Sequence, residues 1–278
     1  MDPEIDRRLD EIARRLSEPG WERQRQFLNS RLLRSLALAV GVDLAAIDNS
    51  QREAREGLAA LMQAAILFGP FGWTASGRIL KPSDYVEAVA LWRSNPDEAA
   101  IDEHLTRAWA DPRWFRQSYG PLTTLSGGHE PTLDLLLVRN QLLDKARDHH
   151  DRGEYEASVL IVLSQIDGIT LQFSETKRGF FVGAKPHDFV DDSTFAGMPE
   201  VLLPVWRHVI QSSYGPSLSG AFQRHSIMHG QELAFGTEVN STKAFALLGG
   251  VIDWLKPKAA ALTEKWRTED EATVGPGQ

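Results

Sequence analysis

The chain has 278 residues, 42% of them apolar, which is enough to build a core and excludes global disorder. A formal net charge of −8 argues against a general polyanion binder, because non-specific affinity for nucleic acid needs dense cationic surface. With no cysteine, disulfide scaffolds, thiolate metal sites and thiol nucleophiles are excluded.

The N-terminus, Met1-Asp2-Pro3-Glu4-Ile5-Asp6, is acidic where a secretion signal is basic and then apolar. No apolar run reaches the length of a bilayer, so the expectation is a cytoplasmic protein with no membrane partner.

Ile5, Leu9, Ile12 and Leu16 recur at helical spacing and predict a helix that Pro19-Gly20 ends. A second helix is predicted from Trp21 to about Val40. A third runs from Ser50 to Phe68, with Leu58, Leu61, Met62, Ala65 and Ile66 inward, and Gly69-Pro70-Phe71-Gly72 stops it. After a turn-rich stretch, Ser83 caps a short helix through Trp92. Asn95-Pro96-Asp97-Glu98 then reads as an Asn cap, a proline at the first helical position and acids in the first turn. The helix it starts carries Ile101, Leu105, Ala108 and Trp109 and ends before Pro112.

Gly120-Pro121 and Ser126-Gly127-Gly128 read as a boundary between two halves. Beyond it, Pro131 to Asp148 is a helix with Leu133, Leu136, Leu137, Asn140 and Leu143 along one side. Ser158 to Phe173 is apolar nearly all round and reads as the central helix of a bundle. Its β-branched residues and Asp167-Gly168 also suit a two-stranded hairpin; length and the Glu-rich start favour the helix. Lys177 to Thr194 is a loop, Pro199 to Ser212 a helix, and Asn240-Ser241 start a last helix that Pro257 ends. The fold class is all-α: an N-terminal helical region over 1–125, a bundle over 131–266, and a disordered tail over 267–278.

The chemistry concentrates in Phe222-Gln223-Arg224-His225-Ser226-Ile227-Met228-His229-Gly230. Phe222, Ile227 and Met228 can pack, Ser217 or Ser219 can cap, and Gly230 ends the helix. His225 and His229, four apart, share a helical face, whereas Arg224 lies about 140° around the axis from His229. An imidazole can move protons and an arginine can hold a phosphate by paired hydrogen bonds. These are the needs of metal-free phosphodiester cleavage. Two histidines four apart can instead share zinc, with Glu232, His208 or Asp167 as a third ligand.

Arg224-His225-Ser226-Ile227-Met228-His229 resembles the motif of the HEPN family: an arginine, a small polar residue, three variable positions and a histidine. The helical layout from Pro131 to Trp266 is similar to a HEPN domain. The resemblance implies a bundle that dimerises with its motifs facing each other and acts, in many members, as a metal-independent ribonuclease in toxin–antitoxin or anti-phage systems. Arg224 and His229 are then the catalytic pair and His225 orients them. Asp167, a carboxylate in the most apolar segment, is expected to pair with Arg224 or His225 or to form the hairpin turn. Lys177, Arg178 and Lys185 are the expected RNA contacts. The implied partners are RNA, a second copy of the chain and an antitoxin or defence protein, with no cofactor. The alternative is a non-catalytic helical module that binds nucleotides or proteins.

Overall fold

A computed structural model describes residues 57–274 apart from 58, 175, 192–193 and 213–214. The helices predicted over 5–16 and 21–40 and the start of the third lie outside the described residues. Helix fills 59–68, where Leu61, Met62 and Ala65 are buried as predicted and Ile66 is partly so. A 310 turn, Gly69–Phe71, follows, and Gly72 takes φ 99°, reserved in effect for glycine.

The next elements are α1 (Pro82–Ser94), α2 (Glu98–Ala108), α3 (Pro112–Tyr119), α4 (Glu130–Asp151) and α5 (Tyr155–Gln172). Then come α6 (Leu202–Val209), α7 (Arg224–Met228) and α8 (Glu238–Val274). Among the described residues no strand forms; only the isolated bridges Gly179–Gly183 and Ser217–Glu232 occur. The architecture is all-α, and the hairpin reading of 158–173 is overturned. Asp167 and Gly168 lie inside α5, whose Val159, Val162, Leu163, Ile166 and Ile169 are fully buried.

Several starts and stops differ from the sequence reading for local reasons. Lys81 precedes Pro82 at the start of α1, so Ser83 is inside the helix and caps nothing. Asp97 caps α2 by accepting from the Ala99 N–H at 3.0 Å, while Asn95 closes α1. Pro112, read only as a stop, is the first residue of α3, whose cap Asp111 accepts from the Arg113 N–H at 3.1 Å. A proline at that position loses no intrahelical bond.

Residues 120–126 form a 310 turn packed on α4 and α8. One hydrophobic core runs from Ala60 through Leu122 and Leu125 to Leu262, so the described part of the N-terminal region shares its interior with the bundle. Helix α4 buries Leu136, Leu143 and Ala146 but leaves Leu137 exposed, because it is covered on one side only.

Helix α8 organises the interior, touching α2, α3, α5, α6 and the 120–126 turn. Residues 240–252 are buried on every side. The helix does not end at Pro257 but runs to Val274, which makes 267–274 helical. Proline inside a helix costs about 3 kcal/mol. Here Trp254 and Leu255 before it and Ala259 and Leu262 after it are buried in the same core, and that burial offsets the lost hydrogen bond.

No helix among the described residues is long and apolar enough to cross a membrane.

Candidate functional site

Helix α7 is a single turn of five residues, Arg224–Met228. Phe222 and Ile227 are buried and anchor it, while His225, Met228 and His229 face solvent. Gln223 occupies the cap position and makes no side-chain cap bond. Ser217 and Ser219 therefore cap nothing here. At the other end the His229 N–H donates to the His225 carbonyl at 3.1 Å and the Gly230 N–H to the Ile227 carbonyl at 3.1 Å. Gly230 takes φ 66°, the left-handed stop expected of it.

The loops around α7 are fixed by one carboxylate and one amide. Glu232, 1% exposed, accepts from Ser219 Oγ at 2.7 Å, the Ala234 N–H at 3.0 Å and the Gly220 N–H at 3.1 Å. Burial raises its pKa, but the bonds from Ser219, Ala234, Ser217 and Gly220 outweigh that and bring it down to about 2. Asn240 Nδ2 donates to the Gly220 carbonyl at 2.8 Å and the Phe235 carbonyl at 3.0 Å. Thr237 Oγ1 accepts from the Asn240 N–H at 3.1 Å and caps α8, which starts at Glu238 rather than Asn240.

The imidazoles of His225 and His229 lie with centroids 4.4 Å apart and planes inclined by 53°. The shared face predicted from their spacing is present. The Arg224 guanidinium lies 5.4 Å from the centroid of Phe181. Among the described residues Arg224, half-buried, forms no ion pair, and its guanidinium rests on an aromatic platform.

Asp167 does not pair with Arg224 or His225 among the described residues. Half-buried on α5, it accepts through Oδ1 from the Phe181 N–H at 3.0 Å. It reaches Arg224 only through Phe181. Lys177 is exposed at φ 53°, and Lys185 is exposed with its N–H donating to Asp188 at 2.6 Å. Arg178 turns toward Asp188, 3.7 Å away.

Among the described residues no group of three or more histidines and carboxylates is arranged to hold a metal ion. Of the third ligands considered, Glu232 is spent on the loops and Asp167 on Phe181. His208 packs beside Gly72 and Lys243, where burial and then the Lys243 charge push its pKa down.

The sequence reading missed two buried polar groupings. Lys243, 3% exposed, places Nζ 2.9 Å from Asp102 Oδ1, which also accepts from Trp73 Nε1 at 2.7 Å. Nζ lies 5.6 Å from the Trp73 ring centroid and 5.9 Å from that of Phe71. The signal was one lysine in the otherwise uncharged run from Val239 to Ile252. The second is His150, in the last turn of α4. It is buried against Phe115 at 4.3 Å, and its Nδ1 is 2.8 Å from Ser241 Oγ, itself 2.8 Å from Ser158 Oγ.

The fold and the site define an all-α protein that displays an arginine and two imidazoles on one exposed turn. No protein-family model, curated protein or solved structure matches the chain.

Proposed function

We propose that the Arg224–His229 turn is a metal-independent ribonuclease site of the HEPN kind. The observation that carries this reading is the exposed pair of imidazoles, 4.4 Å apart, on the same turn as an arginine that no described carboxylate neutralises. The ribose 2′-hydroxyl attacks the adjacent phosphate while His229 manages the proton and Arg224 stabilises charge on the phosphorane. His225 is the neighbouring proton carrier. A second copy of the chain, facing the first, adds a second arginine and two more imidazoles. The resemblance places this activity in toxin–antitoxin or anti-phage defence, with a neutralising or defence protein as partner.

The test is RNA cleavage in EDTA by wild type, Arg224→Ala and His229→Ala. The expected outcome is a 2′,3′-cyclic phosphate product from wild type, loss in both variants, and no attack on DNA. Equal cleavage by all three proteins, or none by any, overturns the proposal. Cleavage that needs zinc supports the metal reading of His225 and His229 instead.

The net charge of −8 favours a second reading, a helical binding module that performs no chemistry. That reading predicts specific partner or nucleotide binding unaffected by His229→Ala.

A further inference from the structure

Between the end of α5, residues 176–188 and the second half of α8 lies a cavity of about 370 Å³. Its lining includes none of Arg224, His225 and His229. The walls are mainly apolar, with Phe173, Trp254 and Leu262 buried around it. Size and lining are those of a small-molecule site.

The polar groups at this cavity are unevenly matched. Two cations, Arg178 and Lys258, and one carboxylate, Asp188, line it. The nearest acceptor to the Arg178 guanidinium among the described residues is Asp188 at 3.7 Å, beyond hydrogen-bond distance. Lys258 Nζ donates to Asp191 at 2.6 Å, stands 4.7 Å from the Trp254 ring centroid, and keeps two further protons. The indole N–H of Trp254 is buried and has no acceptor among the described residues. Being closed off from accessible space, that N–H does not face the cavity, and the donors with spare capacity that line the apolar space are those of Arg178 and Lys258.

The wall hydroxyls do not redress this balance. Thr170 Oγ1 donates to the Ile166 carbonyl at 2.9 Å, and Ser174 and Thr176 are bonded to each other at 3.0 Å. A ligand rich in hydroxyls, such as a nucleoside, would find few partners. A flat apolar body matches Phe173 and Trp254, and the planar fork of Arg178 matches a carboxylate.

We infer that this cavity binds a small carboxylic acid with a flat, largely apolar body, its carboxylate held at the mouth by Arg178 and Lys258. The site is independent of the proposed ribonuclease chemistry and stands if that reading fails.

Calorimetric titration of the full chain with naphthalene-2-carboxylate, naphthalene-2-methanol and adenosine monophosphate tests it. The carboxylate is expected to bind one to one and more tightly than the alcohol. Arg178→Gln should weaken the carboxylate by about tenfold, the worth of one charge-assisted hydrogen bond, and leave the alcohol unchanged. Ala261→Trp, from an exposed position lining the cavity, should abolish both, with a thermal melt confirming that the variant is folded. No binding of the carboxylate, equal affinity for the alcohol, survival of binding in folded Ala261→Trp, or a preference for adenosine monophosphate each overturns the inference.

Discussion

The guanidinium of Arg224 lies 5.4 Å from the centroid of the Phe181 ring, and the backbone N–H of Phe181 is held at 3.0 Å by Asp167. An arginine on a one-turn helix is thus positioned by an aromatic ring from a loop, and that loop by a carboxylate on the central helix. An exposed cation–π contact contributes about 0.5–1 kcal/mol. If the turn is the ribonuclease site proposed above, Phe181→Ala is expected to lower kcat/KM for RNA cleavage by roughly two- to fivefold, while Phe181→Tyr keeps it.

Asp167 offers a sharper distinction. Because it accepts a backbone N–H rather than pairing with Arg224, Asp167→Asn retains an acceptor and, on the proposed function, should keep nearly the wild-type rate of RNA cleavage. Asp167→Ala removes the acceptor, leaves the loop amide unpaired and should lower kcat/KM together with stability. If Asn proves as damaging as Ala, the carboxylate acts through its charge and the platform account is wrong.

These relationships also show what a sequence can and cannot display. The stop at Gly230 was legible, since a glycine after a helical turn has a local cause. So was the shared face of His225 and His229, a matter of spacing alone. The Phe181 platform was not legible, because nothing in residues 177–194 says which side chain of a loop meets a helix some forty residues later. The cap of α2 failed for a related reason: Asn95 and Asp97 are both good caps, and the choice depends on where α1 ends. Helix α8 passes Pro257 because tertiary burial on both sides overrides a local signal. Lys243 was hidden by its type, since lysine is read as surface unless its carboxylate, here on another helix, is known.

The Lys243–Asp102 pair is expected to be costly to break and cheap to replace. Asp102→Ala leaves an ammonium in a nearly buried site, at about 3–5 kcal/mol of destabilisation by urea unfolding. Lys243→Met with Asp102→Leu should recover most of that loss, because an apolar pair of similar volume carries no desolvation cost. A double variant no more stable than Asp102→Ala would show that the bond from Trp73 Nε1 to Asp102 carries the weight instead.

Gly250, inside α8, should reverse the usual rule for helical glycine. Gly→Ala in a helix ordinarily gains about 1 kcal/mol. A Cβ at 250 would stand 2.5 Å from Thr74 Cγ2 and 3.2 Å from Leu202 Cδ2, both on buried residues. Overpacking costs about 1–3 kcal/mol, so Gly250→Ala is expected to lower the melting temperature. Adding Thr74→Ser, which removes the clashing methyl, should restore it.

Stability should fall in two separate steps as pH drops. His150 is held neutral by burial, which puts its folded pKa below the ordinary 6.5 despite the charge of Asp151. The unfolded chain then takes up a proton more readily, so the contribution of His150 is complete above about pH 6.5 and declines as pH falls through that value toward the folded pKa. Glu232 acts lower. With a folded pKa of about 2 against an ordinary 4.5, its contribution is present above about pH 4.5 and is lost as pH falls toward 2. Urea midpoints measured from pH 8 to pH 3 should show both declines. His150→Gln should diminish the upper one, whose remainder belongs to His208 with its likewise lowered pKa, and Glu232→Gln the lower one; if either variant diminishes both, the groups are coupled and the separate assignments fail.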